Sequence, residues 1–137
     1  MLKTLLLLLQ ITQNYLVMQP LQEAVQNRRF EALAPICRRS LVLNMEDPIE
    51  LRGTMSREQF IAEFASRFAA LSAETVEWSS LQVEEDIAVQ SLNLILERRI
   101  AGTRIFYKLI LFMSADAPGG ASGEKEWKLF YLRGIKM

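Results

Sequence analysis

The second half of the chain alternates apolar and polar residues with a period of two, which is typical of half-buried β-strands. This pattern predicts strands at residues 75–84, 87–100, 103–114 and 125–135. Turn residues separate the strands at 84–86, at 101–102 and, in a longer loop, at 116–123. Because consecutive strands with short connections pair side by side, the sequence predicts an antiparallel meander.

The first half has mainly helical spacing. After Pro20, which suits the first turn of a helix, apolar residues recur every three to five positions as far as Ile36. This spacing predicts one helix, or two short helices that meet near residues 27–30. Residues 41–45 and 49–52 are predicted to be short strands on either side of a turn at 46–48, with Gly53 ending the second strand.

A capped helix at residues 55–71 is the clearest local signal. Ser56 and Gln59 have the spacing of a capping box, and Met55 and Phe60 have the spacing of the hydrophobic staple that accompanies it. Apolar side chains then share one face of the helix, namely Phe60, Ile61, Phe64, Ala65, Phe68 and Leu71. A ridge of phenylalanines is more typical of a core than of a cofactor site, so we expect this helix to pack on the sheet.

Residues 1–19 have two interpretations. Lys3 followed by a run of leucines resembles the start of a secretory signal. Polar residues from Gln10 to Asn14 break the run well short of the roughly 18 residues that a membrane span needs, and no small-x-small cleavage site follows. An amphipathic helix also explains the pattern, and we favour it, together with a cytoplasmic location over export. The chain is thus divided into an N-terminal helix or targeting segment at 1–19 and a single domain at 20–137.

The composition removes several classes of site. The 137 residues include no histidine and one cysteine, which excludes Ser-His and Cys-His nucleophiles, His-ligated metals and an internal disulfide. We therefore expect neither a metal nor a cofactor. Lys and Arg number 16, as do Asp and Glu, and a net charge of zero argues against a nucleic-acid surface. Arg-Arg pairs at 28–29, 38–39 and 98–99 could contact phosphate, but acidic neighbours favour a solvated role.

The strand phases assign the side chains of the sheet to two faces. One face is apolar almost throughout, and we expect the helices to cover it. The opposite face also carries an apolar group, which consists of Phe106, Ile110, Phe112, Phe130 and Leu132. Because an exposed apolar patch of this kind usually marks a partner or a second subunit, we expect a homodimer through this face. The alternative is that the N-terminal helix of the same chain packs over it.

The order of helix, helix, short strands, capped helix and long meander resembles the nuclear transport factor two-like superfamily over roughly residues 20–136. Residues 21–33 and the aromatic last strand around Trp127, Phe130 and Tyr131 carry the resemblance. Within the superfamily, the chain most resembles small bacterial proteins of unknown function. The resemblance implies an α+β fold, in which N-terminal helices and a capped helix pack on a strongly curved antiparallel sheet that forms a cone with room for a pocket.

In such a cone the inward side chains would line the interior. They are Trp78, Leu94, Leu96, Arg98, Tyr107, Trp127 and Tyr131. A largely apolar cavity with few polar groups suits a small amphiphilic ligand, although the aromatic side chains are more typical of core packing than of ligand contact. Arg98 would either pair with the carboxylate or phosphate of such a ligand, or turn to the rim and meet a neighbouring carboxylate.

The resemblance also bears on catalysis. Enzymes of the superfamily include ketosteroid isomerases, dehydratases and polyketide cyclases, and several use an Asp-His pair that this sequence cannot supply. A carboxylate base alone could still support an isomerase or lyase. By the strand phases Glu77 and Glu97 point outward, and Glu46 and Asp47 lie in a turn, so we assign no catalytic residue. We expect a non-catalytic binding or scaffold module that is dimeric, with an isomerase or lyase as the alternative.

Overall fold

A computed structural model describes residues 19–116 and 126–137, so the predictions for residues 1–18 and for most of the loop at 116–123 lie outside the described residues. Residues 19–27 are helical (α1), and a 3-10 helix follows at Phe30–Ile36. The capped helix is α2, Arg57–Phe68. Within the described part of the chain, no helix is both long enough and apolar enough to cross a membrane.

The strands form one sheet. They are β1 Cys37–Met45, β2 Leu51–Ser56, β3 Leu71–Trp78, β4 Gln82–Glu84, β5 Ile87–Arg98, β6 Arg104–Asp116 and β7 Glu126–Lys136. Their order is β2-β1-β7-β6-β5-β3, and β4 also pairs with β5. The predicted meander is confirmed for β5, β6 and β7, but a wholly antiparallel sheet is wrong, because β1 lies parallel to β7. This pairing joins strands from opposite ends of the described chain, and local alternation carries no signal for it.

Several strand boundaries differ from the predicted ones. The predicted strand at 75–84 is two strands, β3 and β4, because the chain leaves the ladder at residues 79–81. There the Ser79 hydroxyl accepts a hydrogen bond from the backbone N–H of Ser91 at 2.8 Å. The first strand begins at Cys37, directly after the 3-10 helix, rather than at residue 41. Gly53 lies inside β2 with φ 108° rather than at its end.

The predicted cap and phenylalanine ridge of α2 are confirmed. The Ser56 hydroxyl accepts a hydrogen bond from the backbone N–H of Gln59 at 3.1 Å. Phe60, Phe64 and Phe68 are buried, with successive ring centroids 5.3 Å and 4.7 Å apart. Phe30 of the 3-10 helix packs against the last two rings, with each pair of centroids 6.0 Å apart. The ridge therefore joins α2 and the 3-10 helix into one layer.

This helical layer covers the inner face of the sheet, which forms the core. The predicted phases of β5 and β6 are confirmed, because their inward side chains are at most 7% exposed. The inward side chains of the three meander strands β5, β6 and β7 include Ala88, Leu92, Leu94, Leu96, Ile105, Tyr107, Leu109, Leu111, Met113 and Leu129. At the strand spacing of about 4.8 Å, these side chains interdigitate with the phenylalanine ridge as one continuous apolar cluster.

A β-bulge in β7 reverses the predicted phase beyond Phe130. Leu129 pairs with Met113 and Tyr131 pairs with Phe112, so Phe130 has no residue opposite it on β6. One extra residue moves every following side chain to the other face. Leu132 is therefore a core residue at 0% exposure, and the prediction that it belongs to the dimer face is wrong. Tyr131 lies on the outer face, so the prediction that it lines the interior is also wrong.

Candidate functional site

The interior of the cone is filled by its own side chains. Leu94, Leu96 and Tyr107 face inward as predicted, and each is at most 1% exposed, so water has almost no access to them. Trp78 and Trp127 are partly buried and pack against the same core. The structure thus brings these five predicted residues together as packed side chains. Their binding of a ligand stays a prediction.

Tyr107 closes one end of the interior against β7. Its hydroxyl donates a hydrogen bond to the backbone oxygen of Glu46 at 2.8 Å. A Cβ atom on Gly134 would come within 2.7 Å of the Tyr107 ring carbons, so this close approach requires glycine. Burial raises the pKa of the Tyr107 phenol well above its usual value, and the carboxylates of Glu46, Glu50 and Asp47 add to the rise. The phenol is therefore a neutral donor that is already engaged.

The turn between β1 and β2 forms the rim at this end. The Glu46 carboxylate accepts a hydrogen bond from the backbone N–H of Lys136 at 2.9 Å. Asp47 pairs with Arg98 at 2.9 Å, and their side chains are 58% and 45% exposed. Arg98 thus lies at the rim. Two roles were predicted for it, contact with an anionic ligand or pairing with a neighbouring carboxylate, and the structure contains the second, with Asp47. A pair this exposed contributes about 0.2–1 kcal/mol to stability.

The acidic side chains that the structure describes lie outside the interior. Glu77 and Glu97 are exposed, as predicted from the strand phases. Besides Tyr107 with its hydroxyl group, Gln90 is the only fully buried polar side chain among those described. Its amide nitrogen donates to the backbone oxygen of Ser79 at 3.1 Å, whereas its Oε1 and the indole N–H of Trp78 have no hydrogen-bond partner. The described interior therefore contains an amide and an indole but no carboxylate.

The outer face of the sheet carries a group of apolar side chains outside the core. Its predicted members Phe106, Ile110 and Phe112 lie there, and Phe106 is 59% exposed. Tyr131 joins them across the ladder, with its ring edge-on to Phe112 at a centroid distance of 5.0 Å. Sequence reasoning missed Val42, which is 42% exposed and pairs with Tyr131 from β1. Val42 lies on this face because the parallel pairing of β1 with β7 places β1 beside the meander.

Phe130 is half-buried at the bulge, beside this face but outside the regular ladder. The remaining apolar members define one surface, which we call the outer patch. It consists of Val42, Ile95, Phe106, Ile110, Phe112, Tyr131 and Ile135. Neither α2 nor the 3-10 helix lies on this side, because both pack in the core with the inner face.

A row of polar side chains crosses the outer face next to the apolar positions. Lys108 on β6 pairs with Asn93 on β5, which pairs with Glu77 on β3, so the row runs from positive through neutral to negative. The Asn93 carbonyl oxygen Oδ1 is shielded from water and has no hydrogen-bond partner within the chain as described. A shielded acceptor without a donor costs about 1–3 kcal/mol.

Comparison with known proteins shows the fold. No protein-family model and no curated protein matches the sequence. Among solved structures, a ketosteroid isomerase-like protein from Erwinia carotovora atroseptica has a TM-score of 0.66 and 14% identity, over 90% of this chain and 92% of that chain. An uncharacterized protein with a cystatin-like fold from Caulobacter vibrioides has a TM-score of 0.65 and 15% identity, over 88% and 84% of the two chains.

A nuclear transport factor two-like protein from Cytophaga hutchinsonii also matches, with a TM-score of 0.59 and 15% identity over 88% of this chain and 93% of that chain. At these identities the likeness shows the fold alone. The chain has the nuclear transport factor two-like fold, an α+β cone with a curved sheet around its helices, and the predicted resemblance is confirmed at this level.

Proposed function

We propose that this chain is a non-catalytic binding module that works as a homodimer, joined through the outer faces of its sheets. The observation that carries the proposal is the outer patch, where Phe106 is 59% and Val42 is 42% exposed on a face that no described helix covers. Burying apolar surface of this kind contributes about 25 cal/mol for each Å² removed from water. A second copy of the chain can bury the same patch from both sides at once.

The charges on the outer face support a second copy as the partner. In the row Lys108, Asn93, Glu77, a two-fold axis through Asn93 would place each lysine over the partner's glutamate. The same two-fold axis would keep the two lysines apart from each other, and likewise the two glutamates. Such complementarity of a surface with itself is what an isologous interface requires.

The alternative function, an isomerase or lyase, has weaker support. It needs a carboxylate base inside the cone, and besides Tyr107 with its hydroxyl group, Gln90 is the only fully buried polar side chain among those described. The Tyr107 phenol, which would be the natural partner of such a base, already donates to the backbone of Glu46. The compared structure from Erwinia carotovora atroseptica carries ketosteroid isomerase in its name, but that activity needs a space that core side chains occupy here.

The proposal is tested by measuring the mass of the protein in solution by analytical ultracentrifugation. We expect a dimer for the natural chain, and monomers for Phe106→Lys and Ile110→Lys, since either charge would have to be buried in the interface. Ile100→Lys is the matched control, because Ile100 is 100% exposed in the turn between β5 and β6 and the charge change is the same. A natural chain that stays monomeric at high concentration would overturn the proposal.

A charge exchange tests the orientation of the two copies. Lys108→Glu should weaken the dimer by about tenfold or more, because two glutamates would then face each other. Combining Lys108→Glu with Glu77→Lys should restore it, as the row is then simply reversed. If the loss of dimerisation free energy in the double variant equals the sum of the losses in the two single variants, the two-fold arrangement through Asn93 is wrong.

A further inference from the structure

We propose that a basic cleft at the start of β1 binds the phosphate group of an anionic ligand. The cleft has a volume of about 590 Å³ and is lined by Cys37, Arg38, Arg39, Ser40, Arg57 and Lys128. Four of these six residues are cationic, in a chain whose total charges balance. The cleft is separate from the polar row through which the dimer is proposed to form, and the inference does not depend on that dimer.

A long bulge in β1 builds the cleft. On the β7 side, Cys37 pairs with Leu129 and Val42 pairs with Tyr131, so residues 38–41 lie opposite Phe130, while Ser40 and Leu41 keep their pairing with β2. In a regular strand Arg38 and Arg39 would point to opposite faces. Here Cys37 and Leu41 remain in the core at 0% exposure, while both arginines line the same cleft. Bulges of this kind re-aim side chains, and they occur often beside binding sites.

Contacts with other elements hold two of the arginines in place. The Arg38 Nε donates a hydrogen bond to the Ser114 hydroxyl of β6 at 2.7 Å. Arg57, the first residue of α2, directs one guanidinium nitrogen to the backbone oxygen of Cys37 at 3.5 Å. Lys128 approaches from β7. Three elements distant in sequence therefore supply the cations, which are partly pre-positioned before any ligand arrives.

The cleft carries an excess of positive charge among the described side chains. The Glu58 carboxylate accepts two hydrogen bonds from the Arg57 guanidinium, each at 3.4 Å, and offsets part of its charge, although the Glu58 side chain is 75% exposed. Arg39 and Lys128 form no salt bridge with any side chain that the structure describes. Arg57 and Lys128 also act to lower the pKa of the Cys37 thiol at the floor of the cleft, although burial outweighs them. The positive field thus reaches the base of the cleft.

Phosphate is the ligand chemistry that fits these groups. Guanidinium groups match the oxygens of a phosphate with two parallel hydrogen bonds, and lysine adds a point charge. The Ser40 hydroxyl adds a neutral donor on the same wall. Because the cleft is open and larger than one phosphate, the rest of the ligand would extend into solvent. A soluble phosphate compound and the headgroup of an anionic lipid share this chemistry.

The test uses inorganic pyrophosphate in isothermal titration calorimetry at low ionic strength, with the full chain. We expect saturable binding, and about a tenfold or greater loss of affinity in Arg39→Gln and in Lys128→Gln, since each removes a charge-assisted contact. Arg99→Gln is the matched control: Arg99 is exposed, lies outside the cleft and changes the net charge equally. An equal loss in Arg99→Gln would show attraction by net charge alone and would overturn the proposal.

A second arm separates the two sources of phosphate. Sedimentation with phosphatidylcholine vesicles, with and without an equal amount of phosphatidylglycerol, measures binding to an anionic lipid surface. Binding to pyrophosphate without vesicle binding supports a soluble ligand. Binding to the anionic vesicles that is lost in Lys128→Gln supports a lipid headgroup. If neither pyrophosphate nor anionic vesicles bind the natural chain, the cleft is not a phosphate site.

Discussion

The inner and outer faces of the meander are built from the same three strands and are both rich in apolar side chains, but they have different neighbours. On the inner face Leu94, Leu96 and Leu109 are at most 1% exposed, because they form one buried apolar cluster with side chains of α1, the 3-10 helix and α2. On the outer face Phe106 is 59% exposed. The alternation of residues along a strand therefore assigns side chains to faces, whereas the connections between elements decide which face the helices cover.

Because of this difference, the inner face determines the stability of the fold, and the outer face is available for binding. The inner face contributes most of the free energy of folding, because its side chains lose all contact with water. The outer face contributes little to the folded monomer and keeps its apolar surface available for association. Substitutions on the two faces should therefore affect different measurements, which can be made on the same variants.

The largest expected effect is a core truncation. Phe64 packs between Phe60 and Phe68 and meets Phe30 edge-on, with a centroid distance of 6.0 Å to the last. Phe64→Ala should lower the free energy of unfolding by about 3–5 kcal/mol, from lost transfer energy and the cavity left behind. Urea denaturation followed by circular dichroism measures it. If this variant does not fold, Phe64→Leu gives the same comparison with a smaller loss.

Phe106→Ala is the matched change on the outer face. Because Phe106 is 59% exposed in the folded chain, we expect its truncation to change the unfolding free energy of the monomer by less than about 1 kcal/mol. The dimer should be weakened instead. Equal losses of stability at Phe64 and Phe106, measured at a concentration where both variants are monomeric, would show that the two faces do not differ as described.

A loss of stability smaller than that at Phe64 is expected where Tyr107 packs closely against Gly134. Gly134→Ala would place a Cβ atom within 2.7 Å of the Tyr107 ring carbons, so the ring must move and lose its hydrogen bond to Glu46. We expect a loss of about 1–3 kcal/mol, as for other overpacked cores. Gly102→Ala is a useful comparison, since a Cβ atom there meets nothing within 4 Å although φ is +65°. A Gly134→Ala variant as stable as the natural chain would mean that the Tyr107 ring is not held as tightly as described.

How far the sequence alone predicts this molecule depends on the range of the signal. Ser56, Gln59 and the phenylalanine ridge were predictable because caps and helical faces are local. The phases of β5 and β6 were predictable because alternation continues without interruption. The assignments of Tyr131 and Leu132 failed because one unpaired residue, Phe130, reverses the phase and leaves no mark in the apolar pattern.

The candidate sites were less predictable than the fold. Val42 belongs to the outer patch only through the parallel pairing of β1 with β7. The rim partner of Arg98 is Asp47, 51 positions away in the sequence. The basic cleft joins Arg39, Arg57 and Lys128 from three elements, so acidic neighbours along the sequence gave the wrong impression of its charge balance. Each of these arrangements depends on strand pairing, which the sequence pattern did not determine.

A pH-dependent effect is expected where the inner face comes nearest to the charged outer surface. Cys37 is 0% exposed although Arg38 and Arg39 follow it directly, and burial raises the pKa of its thiol to about 12 from a usual value of 9.0. The folded chain therefore keeps the thiol protonated while the unfolded chain ionises above pH 9.0. Because the folded state then binds more protons, stability should fall as pH rises above that value, by at most about 1.4 kcal/mol per pH unit.

The measurement is urea denaturation of the natural chain and of Cys37→Ala between pH 8 and pH 10, with the difference between the two chains taken at each pH. Other groups titrate equally in both chains and cancel, so the slope of the difference belongs to Cys37. We also expect the native thiol to react with a disulfide reagent about a thousandfold more slowly than in the unfolded chain, since only the thiolate reacts. Rapid labelling of the native chain, or no slope in the difference, would show that the inner face is open to solvent at the floor of the basic cleft.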